Sequence, residues 1–430
     1  MSPVIQKKNK FFVIKNLIKY FFLFKKKNSN FTQYYNENNN ILLIVYHIMD
    51  NDCGKMIADF LNYLKKKGFN VNILTCQNDI PILFNENINI ITKKNLSSKA
   101  VYNKILLKTT ILKICRSYHI DVLCVCDAFF LKTALKCKTI LNIPIIYWIF
   151  YINNNEANIK HPSFNKIKKI DLILSISNEI SSFLLDSYNI NEDKIKQLTL
   201  SVDNEIYDSK KVSCGRVREA IRSIDSDIGR KKIFFCYYDY RELHLCYILI
   251  KVISMIYRDD FVCVVSGNFK QLSIDKRNEL FSYIKKYKVE NRIKIINRIL
   301  DKSAIISSSY AVICIQQDEG SFIKSVCEAG AMKKPAIIIN KYAYTENLIN
   351  GKTGFCVKCD NINELRNAIV KMLDMNEHEY REMCENAYNY IMKHFIQKKA
   401  FENICNDIIT LIDKKINHEL KSKKKYPAFY

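Results

Sequence analysis

Glycine is the first shortage. Nine glycines occur in 430 residues, against about 7% in ordinary proteins, so the positions that keep one are candidates for turns other residues tolerate poorly. Zinc-type cysteine spacing is missing too. Sixteen cysteines lie scattered among apolar runs, and the two close pairs, Cys124/Cys126 and Cys356/Cys359, have no partnering pair at metal-ligand distance in sequence. A chain of this length is not a disulfide-stapled fragment, so the cysteines are expected to be reduced core residues with no metal. The N-terminal apolar stretch KKNKFFVIKNLIKYFFLFKKK (7–27) is broken by Lys15 and Lys19 and is too short to span a bilayer. No small-residue cleavage site follows it, which argues against a signal peptide.

Acids are outnumbered. Asp and Glu total 43 against 67 Lys and Arg, leaving a net charge of +24, which points to anionic partners. Heavy use of Lys, Asn and Ile makes part of that charge compositional. Nucleic acid is not an expected partner, because no stacking motif or basic recognition helix is present. On a helix Lys15, Asn16 and Lys19 share one side while phenylalanines and Leu23 cover the rest, as for a helix lying in the plane of an anionic membrane. The alternatives are a core-packed or disordered leader.

The hydrophobic share, 48% of the chain, is ample for buried cores, and the length suits two or three domains. Short β-branched runs recur between helical patterns: 41–47, 121–126, 143–149, 232–238, 261–267, 292–296, 311–315 and 336–339. They read as buried parallel strands of an α/β fold. A turn holding Gly54 follows the first run, then a helix ended by Gly68. Helices are expected over 362–373 and 377–394, with a further amphipathic segment over 395–420. His47 ends a strand, where open α/β sheets bind ligands, but a lone histidine is more often structural.

The stretch QQDEGSFIKSVCEAGAMKKPAIIINKYAYTENLINGKTG (316–354) carries the chemistry. A strand, a small-residue turn and a short helix in sequence offer backbone N–H groups and a positive helix end to a phosphate. Val326, Ala329 and Met332 share one face of that helix, and Pro335 is expected to end it. Glu319 sits in the turn and Glu328 in the helix. Carboxylates beside a phosphate site make sense as acceptors for sugar hydroxyls; the plain alternative is a βαβ turn with two solvated acids.

DEGSFIKSVCEAGAMKKPAII, then Glu346 and NGKTGFCV, resembles the signature of glycosyltransferase family four, the retaining GT-B enzymes. The resemblance covers roughly residues 41–420. It implies two doubly wound Rossmann-like domains facing a cleft: an acceptor domain over 41–208 and a donor domain over 209–395. A leader and linker (1–40) would precede them, and a crossing helix with a basic tail (396–430) would follow. It assigns Glu319 to the donor sugar, Glu328 to the ribose, and Gly320, Ser321, Phe322, Ile323, Lys324 and Ser325 to the diphosphate, with Gly54 nearby. The two acids stand one residue further apart than in the family pattern. Family members use two cations on the diphosphate; here Arg241 is the candidate, beside His244, with a solvated helix-start arginine as the alternative. Where the family carries histidines at strand ends, this chain has Cys124, Cys126 and Phe150. The implied activity is metal-independent transfer of a hexose from a nucleotide diphosphate sugar to a glycan or lipid-linked acceptor, without a cofactor, in the cytoplasm or on the inner membrane face. A catalytically impaired relative acting as a glycan-binding or assembly partner is the alternative.

Overall fold

Runs of Ile, Leu and Val form the first sheet. The computed structural model describes residues 39–48, 52–77, 84, 87–93, 101–150, 164–199, 201–225, 228–237, 243–267, 269–297, 299, 301–315, 323–340, 345–359 and 361–425. In chain order the first lobe contains β1 (Asn40–Val45), α1 (Asp52–Lys66), β2 (Asn70–Thr75), β3 (Asn89–Thr92), α2 (Val101–Ser117), β4 (Val122–Val125) and α3 (Ala128–Leu141). It continues with β5 (Ile145–Ile149), β6 (Leu172–Ser175), α4 (Asn178–Tyr188) and β7 (Ile195–Gln197). The strands pair in parallel in the order β3-β2-β1-β4-β5-β6-β7. Helices cover both faces, so the central strands are apolar on both sides rather than alternating.

The second lobe repeats the plan. It contains α5 (Cys214–Arg222), β8 (Lys232–Tyr237), α6 (Leu243–Ser254), β9 (Phe261–Ser266), α7 (Ile274–Lys286), β10 (Ile293–Ile296), α8 (Lys302–Ser308) and β11 (Ala311–Ile315). After these come α9 (Lys324–Ala331), β12 (Ala336–Asn340), β13 (Gly354–Lys358), α10 (Ile362–Asp374), α11 (Glu377–His394) and α12 (Gln397–Lys425). Strand order is β10-β9-β8-β11-β12-β13, again all parallel. In both sheets the chain winds outward from the first strand and then crosses to its other side. The crossover leaves a crevice at the carboxyl ends of β1/β4 and of β8/β11, the positions where doubly wound sheets bind ligands.

Both sheets belong to one compact unit that begins at Asn40. Helix α12 returns to the first lobe. Phe401, Ile404, Cys405, Ile408 and Ile412 recur every three or four residues along it and are buried in one cluster with Leu43, Phe60 and Trp148. Phe401 and Phe60 place their rings 5.1 Å apart, and Gln397 Nε2 donates to Asp59 at 3.1 Å. Cys327 and Ala331 of α9 and Ile391 of α11 join the same cluster, so the back of α9 is seated against the first lobe.

All sixteen cysteines are free thiols, ten of them buried. Among the described residues no group of His, Cys, Asp and Glu could hold a metal, and no helix is long and apolar enough to cross a membrane. The leader lies outside the described residues.

Two local expectations are corrected. Gly54 is buried as the third residue of α1 rather than in the turn before it, because the helix starts as early as Asp52. Helix α9 ends at Ala331, four residues before Pro335, where Lys333 takes the left-handed φ of 57°. There Lys334 N–H donates back to the Ala329 carbonyl at 2.9 Å, closing the helix as a Schellman-type cap does.

Helix α5 is tied to the start of α8. Arg216 grips Asp301 with Nε at 2.7 Å and Nη2 at 2.9 Å, and Asp301 also caps α8 through the Ala304 N–H at 3.0 Å. The Arg216 guanidinium, with the cap and Ser303 helping, holds the Asp301 carboxyl down at about 2. An acid depressed below its unfolded value of about 3.9 adds stability above that pH and loses it as pH falls towards the folded value. Asp301→Asn is therefore expected to lower the melting temperature at pH 5 to 7, with the difference from wild type shrinking between pH 4 and 2. A constant difference across that range would refute this. The pair is partly open to water, so the effect is expected to be modest.

Candidate functional site

The crevice between β8 and β11 gathers charge. Strand β8 ends at Tyr237, which is 51% exposed and pairs in register with Cys314 of β11. Beyond β11, α9 begins at Lys324 with Ile323 in the N-cap position. Isoleucine has no acceptor to offer the first turn, and that turn contains no acid, so the helix brings no anion of its own to its positive end. Asn347, buried at 1% exposure, fixes the entry. Its Nδ2 donates to the Ile323 carbonyl at 2.6 Å, and its Oδ1 accepts the Thr345 hydroxyl at 2.6 Å and the Ile323 N–H at 3.4 Å.

Glu328 lies one turn into α9 and is 4% exposed. Its Oε2 meets Lys302 Nζ at 2.5 Å, as a charge pair rather than an aligned hydrogen bond. The same ammonium stands 4.5 Å from the centre of the Tyr237 ring, within cation–π range. Burial pushes the neighbouring Cys314 thiol up to about 12, so it stays neutral. A buried carboxylate needs such a partner, because an unpaired charge in this setting is strongly destabilising.

The opposite crevice, at β1/β4, is built differently. Asp127 occupies the N-cap of α3, but its side chain does not cap that helix; instead its Oδ2 accepts the Tyr46 N–H at 2.6 Å across the crevice. Burial pushes the Asp127 carboxyl up, partly offset by that N–H and by His47. Cys124 and Cys126 sit at the same edge. Cys124 is buried and Cys126 half-buried, and burial raises the Cys126 thiol well above its ordinary value.

Residues 219–390 match the family model described as glycosyl transferases group 1. No curated protein matches the chain. Among solved structures, a glycosyltransferase from Rickettsia africae ESF-5 is similar at 19% identity, covering 88% of this chain and 99% of that one, with a TM-score of 0.75. The Anabaena protein HepE in complex with UDP-glucose is similar at 13% identity over 86% and 99%, with a TM-score of 0.65. Sucrose-phosphate synthase from Thermosynechococcus elongatus is similar at 13% identity over 88% and 100%, with a TM-score of 0.66. The architecture is GT-B, and the family match together with it supports a glycosyltransferase.

Within this GT-B frame, the structure brings only part of the expected set together. Ile323, Lys324, Ser325 and Glu328 form the start of α9 at the carboxyl edge of the second sheet. Gly54 lies at the carboxyl edge of the first. Glu319, Gly320, Ser321, Phe322 and Arg241 lie outside the described residues. His244 is exposed in the first turn of α6. Lys302, Tyr237 and Asn347 were not singled out from sequence. In sequence 26 positions separate Lys302 from Glu328, so no local pattern links them.

Glu346 has a distinct role. It is 7% exposed and reaches from the second lobe to cap α4 of the first. Oε1 accepts the N–H groups of Asn178 at 2.7 Å and Glu179 at 3.3 Å, and Oε2 accepts Gln197 Nε2 at 3.2 Å. Ser177 Oγ takes the Ile180 N–H at 3.2 Å, so both lobes share in satisfying the first turn of α4. Tyr390 donates its hydroxyl to the Glu346 carbonyl at 2.9 Å. Glu346→Ala is expected to cost about 1–3 kcal/mol through the lost cap and stranded donors, read as a lower denaturation midpoint. An unchanged midpoint would show that the contact carries no net stability.

Proposed function

We propose that the chain transfers a hexose from a nucleotide diphosphate sugar to a hydroxyl of a cell-surface glycan or lipid-linked acceptor, with retained configuration. The observation that carries this reading is the meeting of Glu328, Lys302, Tyr237 and the first turn of α9 at the crevice between β8 and β11. In this reading the turn receives the diphosphate on backbone N–H groups, and Glu328 accepts the ribose hydroxyls. Glu319 orients the donor sugar, while Arg241 and residues 320–325 hold the phosphates with Gly54 nearby. The bond from the anomeric carbon to the diphosphate oxygen breaks, the acceptor oxygen bonds on the same face, and the acceptor proton passes to the departing phosphate oxygen. No resident metal or cofactor is part of this scheme; positioning and electrostatics supply the rate. The 7–27 segment is proposed to hold the enzyme on the inner membrane face.

The test is incubation of the full chain with radiolabelled nucleotide sugars and membrane acceptors. Transfer from one donor, with the product anomer matching the donor's, supports the reading; inversion would overturn retention. Binding without turnover across the panel would favour an impaired relative that only binds glycans, a reading supported by Cys124 and Cys126 at the β4 edge.

A further inference from the structure

We propose that Lys302 is a donor-binding residue: its ammonium contacts the diphosphate while keeping Glu328 turned for the ribose. This rests on the nucleotide-sugar reading above and adds to it a residue that neither the motif nor the family pattern supplied.

Its position is the first argument. Lys302 opens α8, which leaves the carboxyl end of β10 and so lies on the same edge of the sheet as the crevice between β8 and β11. A cation in the first turn of a helix opposes the helix dipole, and Asp301, the nearest acid in sequence, is engaged by Arg216. The placement therefore needs another reason. Glu328 gives half of one, since its buried carboxylate requires a counter-charge.

The other half lies in what surrounds the ammonium. Glu328 lies on one side of the ammonium and the face of Tyr237 on another. The side chain is still 26% exposed while that of Glu328 is 5% exposed, so the pair presents its positive partner to the crevice. Helix α9 adds its own positive end and Lys324. A lone carboxylate here would repel a diphosphate, whereas a carboxylate screened by this lysine does not. In a nucleotide the ribose ring and the phosphates are joined through the C5′ methylene and its oxygen, so sugar hydroxyls and diphosphate are neighbours that a carboxylate–ammonium pair can serve together. Lysine suits the task as a compact charge on a flexible stem.

Removing Lys302 alone strands a buried carboxylate, so the decisive comparison is made where that carboxylate is already neutral. Full-length Glu328→Gln and the double variant Glu328→Gln/Lys302→Met are titrated calorimetrically with uridine, guanosine and adenosine diphosphates and their monophosphates, alongside wild type and Lys302→Arg. Against Glu328→Gln, the double variant is expected to lose at least about tenfold in affinity for the diphosphate that binds, and less than about threefold for its monophosphate, as loss of a charged hydrogen bond implies. Lys302→Arg is expected to stay within about threefold of wild type. Equal affinities of the two Gln variants for the diphosphate, or equal losses on diphosphate and monophosphate, would overturn the role of Lys302 and leave the transferase reading standing. Failure of wild type to bind any of the six nucleotides would overturn both.

Discussion

Glu328→Gln is expected to lower kcat/KM for the sugar-nucleotide donor by about 10- to 150-fold, the loss of a charged hydrogen bond worth roughly 1.5–3 kcal/mol. The melting temperature is expected to move little. Glutamine keeps the shape that fills the buried space in α9, and the partner left behind, Lys302, is partly open to water, so its charge is solvated when the carboxylate is gone. The effect should therefore be on the ligand rather than the fold. Steady-state kinetics with the accepted donor, paired with a thermal melt, separates the two. Wild-type activity in this variant would remove the ribose role from Glu328.

Gly354→Ala is expected to be strongly destabilising, by about 3–5 kcal/mol from combined overpacking and backbone strain. Gly354 opens β13 with φ +153° and pairs in register with Ala336 of β12. A Cβ there would run into the Ala336 carbonyl oxygen and crowd Leu348, and backbone in a strand ladder has little room to retreat. The segment between β12 and β13 carries both Asn347, which pins the start of α9, and Glu346, which caps α4. Loss of the Gly354 turn is therefore expected to disturb α9 and the joint between the lobes together. Urea denaturation checks the magnitude, and a midpoint equal to wild type would refute it.

The buried parallel strands were legible because their signal is local. Runs such as ILLIV, FVCVV and AVICI are apolar on both faces, and each proved to be an interior strand with a neighbour on either side. The edges of the first sheet were not legible. Strand β3 is NIIT with residues only half covered, and β7 is the three-residue IKQ; short, half-exposed edge strands carry little apolar pattern. In the site, Glu328 and the start of α9 followed from one contiguous motif. The partners of that motif did not, because the Lys302–Glu328 pair depends on how α8 packs beside α9, and Glu346 bonds a helix 168 residues away in sequence. Asp127 escaped for another reason: at an N-cap its plain reading is a helix cap, and only the fold reveals that it bonds Tyr46 instead.

The return of α12 to the first lobe sets an order on biogenesis. On a translating ribosome the β1 to β7 region emerges early, yet Phe60, which packs edge-on to Trp148, gains the neighbour Phe401 only once the whole second lobe has been made. Until then an apolar groove along α1 stands open, so the nascent first lobe is a natural client for a chaperone.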